Sequence, residues 1–167
     1  MISDIGIRLE NGGAECVLIC SNTPHLIAET FKQKIGVPFI HIVEETAKEI
    51  VKQKINNVGL IGTKFTMENS FFKDHLTRHG IETIIPENPD KDYIHNSIFN
   101  EFTKGIFSNE TKKKYLDIIS KLQIEGAEAI ILGCTEISLL INQSDCKIRL
   151  FDTASIHSKA AVDFALS

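Results

Sequence analysis

The chain repeats itself. The segment GAECVLICSNT starts at Gly13, GAEAIILGCTE starts at Gly126, and the two align without gaps at a spacing of 113 residues. Each copy runs Gly-Ala-Glu, an apolar stretch, a small polar loop and a helix-forming segment. Each is followed by a second apolar stretch, VPFIHI at 37–42 and KIRLFD at 147–152. A strand that passes through a helix into another strand is the unit of a parallel sheet, because parallel neighbours need a crossover. Two copies predict two lobes related by an approximate twofold axis. The copies are unequal. The second is preceded by two further strand candidates, NVGLIG (57–62) and IETIIP (81–86), whereas the first has only a helix candidate at 2–12. If the lobes are equivalent, the first lacks a strand–helix–strand unit of about 30 residues.

The rest of the chain keeps the same rhythm. Strands are predicted at 15–20, 37–42, 57–62, 81–86, 127–132 and 147–152, most of them β-branched and apolar on both faces, as strands covered on both sides should be. Helices are predicted at roughly 24–35, 43–55, 66–79, 90–105, 109–125, 136–142 and 154–166, with Gly36, Gly80 and Gly126 where helices should stop. The expected fold is α/β, with two pseudo-symmetric lobes of parallel sheet flanked by helices and the first lobe incomplete. Residues 1–54 with the C-terminal helix 152–167 are assigned to the first lobe and 55–151 to the second. A depleted parallel sheet leaves an apolar edge, so a homodimer that covers it is expected.

Composition narrows the partners. With 18 Lys and Arg against 22 Asp and Glu, the net charge of −4 argues against nucleic acid or an anionic membrane as partner. No apolar run approaches the about 18 residues of a membrane span, and MISDIGIRLENGG does not read as a secretion signal. A cytoplasmic location is expected. Cys16, Cys20, Cys134 and Cys146 form no CxxC pair, so no metal site is expected. In a reducing compartment structural disulfides are not expected either.

In open α/β sheets ligands bind beyond the carboxyl ends of the strands. The repeat places two loops there, Cys20-Ser21-Asn22-Thr23-Pro24-His25 and Gly133-Cys134-Thr135-Glu136, with Ser21 aligned to Cys134. Both loops run into a helix. A helix N-terminus offers free N–H groups and partial positive charge, which favours bound carboxylate and lowers a thiol pKa. Cys134 is therefore the candidate reactive thiol, with core packing as the alternative. A third strand end, Gly62-Thr63-Lys64-Phe65-Thr66, could also hold a carboxylate, although a capped helix start explains it as well. His25 could tune a nearby acid or make a structural hydrogen bond. His41 and Asp152 suit either a cleft or a cap, and His157 reads as structural. The run Lys112-Lys113-Lys114 reads as a solvated helix face.

Four segments, GAECVLICSNTPH, VGLIGTKFTM, AEAIILGCTEISLL and LFDTASIH, resemble the motif blocks of the aspartate/glutamate racemase family, and the resemblance runs from about Gly12 to the end. It implies two α/β lobes with the active site in the cleft between them. It also implies catalysis without pyridoxal phosphate or any other cofactor, on a small amino-acid substrate. One residue from each lobe would face each side of the substrate Cα, because inversion needs a proton acceptor on one face and a donor on the other. Carried onto this chain, the resemblance makes Cys134 the second-lobe catalytic cysteine and places Ser21 opposite it. Asn22, Thr23, Thr63, Thr66 and Thr135 would bind substrate carboxylates, and Lys104 lies near a substrate-binding lysine of some members.

Two departures qualify the resemblance. The family's first-lobe cysteine directly precedes Asn-Thr, and Ser21 stands there. Cys20 is one residue earlier and, by strand alternation, points away from the cleft. The family's N-terminal strand and its glycine-containing loop have no counterpart. The leading expectation is an aspartate, glutamate or related amino-acid racemase working through a thiol. The alternatives are a one-cysteine decarboxylase-like enzyme, which protonates a carbanion on one face only, and a vestigial carboxylate-binding protein.

Overall fold

The computed structural model describes residues 2–167. Among them the predicted strands all form, some shorter than expected: β1 (Val17–Leu18), β2 (Phe39–Ile40), β3 (Asn57–Ile61), β4 (Glu82–Ile84), β5 (Ala129–Leu132) and β6 (Arg149–Asp152). They make two parallel sheets. One has two strands, β1-β2, in the register Val17 with Phe39. The other has four, in the order β4-β3-β5-β6. The pair β1-β2 repeats the pair β5-β6, and the described residues contain no first-lobe counterpart of β3 and β4. This is the unequal two-sheet α/β fold that the repeat predicts.

The helices are α1 (Ile2–Asn11), α2 (Ala28–Lys32), α3 (Ile42–Lys52), α4 (Lys64–Glu68), α5 (Ser70–Arg78), α6 (Asn88–Asn100), α7 (Asn109–Ile124), α8 (Ile137–Leu140) and α9 (Thr153–Ala165). Three differ from the pattern reading. The segment 66–79 is two helices, because Asn69 turns extended (φ −71°, ψ 141°) and its side chain accepts the Phe71 N–H at 3.1 Å to start α5. Pro24 sits in a 3-10 turn, Thr23–Ile27, that precedes α2. A second 3-10 turn, Phe102–Lys104, follows α6 and ends at Gly105 with φ 72°. The lysine run is also more than a solvated face. Lys112 pairs with Asp145 at 2.8 Å, and Lys114 and Lys121 both pair with the buried Asp90 of α6.

Packing is as unequal as the sheets. Beside the two-stranded sheet, Val17, Ala28, Phe31 and Ile40 are buried. The four-stranded sheet carries a large continuous core, including Leu60, Ile61, Phe72, Leu76, Tyr115, Ile130 and Phe151. The inner face of α3 (Ile42, Val43, Ala47 and Ile50) belongs to that large core although the helix follows β2. Helix α3 therefore ties the small sheet to the large one. The buried His157 of α9 adds a second tie by donating from Nε2 to the Ile40 carbonyl of β2 at 2.8 Å. Among the described residues no helix is long and apolar enough to cross a membrane.

Candidate active site

The carboxyl ends of β1, β3 and β5 open onto one cleft of about 200 Å³. Ser21, Asn22 and Thr23 line it from the first lobe. Thr63, Thr66, Gly133, Cys134, Thr135 and Glu136 line it from the second, and Ile98, Phe99 and Thr103 close one side. The residues aligned by the repeat, Ser21 and Cys134, thus share one cavity.

Local chemistry shapes each wall. The Gly133 N–H donates to the Ile61 carbonyl at 2.7 Å, which brings the ends of β5 and β3 together. A Cβ on Gly133 would lie 3.1 Å from that carbonyl oxygen and 2.9 Å from Leu60 Cδ1, so glycine is needed for this approach. The Thr63 hydroxyl caps α4 by accepting the Thr66 N–H at 3.2 Å and also meets the Thr66 hydroxyl at 3.1 Å.

On the first-lobe side, Asn22 is buried and donates from Nδ2 to the Thr153 hydroxyl at 3.0 Å. That hydroxyl in turn donates to the Leu132 carbonyl at 2.9 Å, so it can only accept from Asn22. The amide orientation is therefore fixed, and its buried Oδ1 has no hydrogen-bond partner among the described residues. An unpaired buried acceptor costs about 1–3 kcal/mol.

His25 sits directly beneath this loop. Its Nδ1 lies 2.7 Å from the Ser21 carbonyl, and its Nε2 accepts the Ile42 N–H at 3.2 Å. With Nε2 occupied as an acceptor, the proton belongs on Nδ1. Burial above all pushes the His25 pKa down to about 4, so the ring is neutral and holds the Ser21 loop in place. His41 caps α3, its Nδ1 accepting the N–H groups of Val43 and Glu44, and Asp152 caps α9 by accepting the Ala154 N–H.

The thiol departs from the sequence expectation. A helix N-terminus should lower its pKa, yet burial first, and then the Glu136 carboxylate that accepts its S–H at 2.9 Å, push Cys134 up to about 12. The helix after it, α8, is a single turn, Ile137–Leu140, and Glu136 already places a negative charge at its start. Burial raises the Glu136 carboxyl, but hydrogen bonds from Cys134 and from the Thr135 hydroxyl (2.8 Å) outweigh it and leave the group below its ordinary range. Cys134 is thus a neutral thiol held against an anionic carboxylate.

The structure brings Ser21, Asn22, Thr23, Thr63, Thr66, Cys134 and Thr135 together. It leaves Lys104 outside, exposed at the end of its 3-10 turn, and turns its neighbour Thr103 toward the cleft instead. Cys20 is likewise exposed and outside the lining. Sequence reasoning named Glu136 in its motif without giving it a role, and it passed over Thr103, Phe99 and Thr153. Only Glu136 carried a readable signal, a carboxylate two positions after the thiol.

A parallel α/β fold in two sheets, with a small cleft at the carboxyl strand ends that gathers hydroxyls, a thiol and a carboxylate, defines the class. The profile of the Asp/Glu/hydantoin racemase family matches residues 2–161, and the chain belongs to that family. It is 26% identical over 170 residues to the broad-specificity amino-acid racemase RacX of Bacillus subtilis (strain 168), covering 99% of this chain and 71% of that protein. Among solved structures it is similar to a candidate Asp/Glu racemase from Yersinia pestis, with 41% identity and a TM-score of 0.94. It is also similar to an aspartate racemase homologue from Pyrococcus horikoshii OT3, with 34% identity and a TM-score of 0.91. Each match covers 99% of this chain and 73% of the solved chain.

Proposed function

We propose that the chain is a cofactor-independent racemase of aspartate, glutamate or a related amino acid, working by proton transfer at Cα. The observation that carries this reading is the shared cleft, in which Ser21 and Cys134, from equivalent positions of the repeated unit, stand at one small cavity. Removing and returning a Cα proton with inversion needs a group on each face. Cys134 serves one face. Its proton can pass between sulfur, the Glu136 carboxylate and the substrate, and a bound cation beside Glu136 favours the thiolate. The substrate ammonium supplies such a cation. Thr23 and one hydroxyl of the Thr63–Thr66 pair are left to donate to carboxylates, while the Thr135 hydroxyl holds Glu136 in place. Ser21 serves the other face as a relay of low basicity. The substrate class is supported by the family and by the relatives named above. The cell compartment proposed is the cytoplasm. The open edge of β1 and the exposed Ile5, Ile7 and Leu9 of α1 favour a homodimer.

A second reading rests on the protonated state of Cys134. A neutral thiol facing a hydroxyl is better suited to delivering a proton than to taking one, as a one-face protonation of a carbanion after decarboxylation would need. The test is Cα proton exchange in heavy water, followed by NMR, with both enantiomers of aspartate and of glutamate. Exchange that disappears in Cys134→Ala is the expected result. Absence of exchange in the unmodified protein with all four substrates would transfer support to the decarboxylation reading.

A further inference from the structure

Away from the cleft, a second cavity of about 490 Å³ opens between α3 and α5. Its lining includes Glu44 of α3, His75 of α5 and His79, which follows the last turn of α5. The two imidazole Nε2 atoms converge on one carboxylate oxygen. His75 Nε2 lies 2.7 Å and His79 Nε2 3.0 Å from Glu44 Oε2. One ligand-capable atom from each residue lies within 4.8 Å of the others. Two nitrogens and one carboxylate oxygen are a donor set for zinc and its first-row neighbours, whereas magnesium and calcium ask for oxygen alone.

The group is held in place before any ion arrives. The His75 ring stacks on His41 with centroids 4.7 Å apart and planes 6° from parallel, and His41 is itself anchored by the Val43 and Glu44 N–H groups. The other Glu44 oxygen lies 4.0 Å from the Lys48 ammonium, which leaves Oε2 as the single coordinating atom. The side chains of His75, His79 and Glu44 are 15%, 27% and 31% exposed, enough for an ion and its remaining waters to enter.

We propose that Glu44, His75 and His79 form a binding site for a divalent transition-metal ion of the zinc type, linking α3 to α5 outside the racemase cleft. The ion takes Nε2 of both rings and Oε2 of Glu44, and water fills the open position toward the cavity. Both rings then carry their proton on Nδ1, so the two hydrogen bonds to Oε2 are exchanged for coordinate bonds. Lys32, Lys48 and Arg78 line the same cavity and oppose the ion's charge, while Glu29 and Glu45 offset them. The ion would cross-link α3 and α5, both of which pack into the large core.

The test is a titration of the metal-free protein with cobalt(II), read by visible absorption, and then with zinc(II), read by calorimetry. The expected result is one equivalent bound, with no sulfur-to-cobalt charge-transfer band, and loss of that equivalent in the double variant His75→Ala with His79→Ala. Glu44→Gln, which keeps the shape of the side chain, should also lose stoichiometric binding. Independently of any variant, zinc should shift the imidazole nitrogen resonances of His75 and His79 in the unmodified protein. No binding by the unmodified protein, binding that survives the double variant, or a thiolate band that assigns the ion to cysteine would each overturn the site.

Discussion

The two parts of the molecule present the same unit in different company. In the second, β5 and β6 lie beside β3 and β4 in a four-stranded sheet over a large core. In the first, β1 and β2 stand alone, with Val17, Ala28, Phe31 and Ile40 buried around them. The small sheet is held by the two helices that follow β2 and β6: α3, whose inner face lies in the large core, and α9, which meets the small sheet through the His157 bond to Ile40 and the Asn22 bond to Thr153. The site follows the same division. The side with the four-stranded sheet supplies the thiol with its carboxylate partner, and the side with the two-stranded sheet supplies a hydroxyl and an unpaired amide oxygen. Equivalent strand ends thus carry different chemistry.

The largest effect that could break this comparison is on catalysis. Cys134→Ala should reduce Cα exchange by about 10²–10⁴-fold, the usual contribution of a positioned acid or base, whereas Ser21→Ala should cost less and act mainly on one enantiomer. Exchange rates measured by NMR decide it. Next come the cores. Phe72→Ala should lower global stability by about 3–5 kcal/mol, read by denaturant unfolding. Phe31→Ala should instead loosen β1 and β2 first, seen as faster amide exchange there while the four-stranded sheet stays protected.

A smaller effect concerns pH. His25 titrates near 4 when folded and near 6.5 when unfolded, so in that interval the unfolded chain binds a proton that the folded chain refuses. Stability is fully present above about pH 6.5, falls as pH drops toward 4, and levels off below it. The loss from this residue is roughly 3 kcal/mol. Unfolding midpoints across that range should show it, and His25→Asn should flatten the slope. The smallest effect sharpens the asymmetry itself. Glu136→Gln removes the second cause that holds the Cys134 thiol high, and the thiol pKa, followed by ultraviolet titration, should fall.

Much of this was legible in residue order, for physical reasons. Runs such as NVGLIG and AEAIIL are apolar on both faces and bounded by turn residues, so the strands and their parallel pairing could be read from them. The alignment of Ser21 with Cys134 located both walls of the cleft, because repeated units place equivalent residues at equivalent strand ends. What could not be read depends on contacts between distant segments. The break at Asn69 is a local cap that competes with a helix-compatible pattern. The raised thiol pKa needs the folded position of Glu136 as well as its place in the motif. The Asn22 amide is oriented by Thr153, 131 residues away. The His75–His79–Glu44 group joins residues 31 and 35 apart, so cysteine spacing, on which the expectation of no metal site rested, carried no trace of it. Lys104 rests on the resemblance alone, and the turn ending at Gly105 carries it outside the cleft.

The claim that both halves serve one reaction, a thiol on one face and a hydroxyl on the other, is tested most directly by comparing Cα exchange of the two substrate enantiomers before and after Ser21→Cys. The account predicts rates that differ by at least about tenfold between enantiomers in the unmodified protein, and a second thiol at position 21 that brings them together. Equal rates in the unmodified protein that Ser21→Cys leaves unchanged would contradict it.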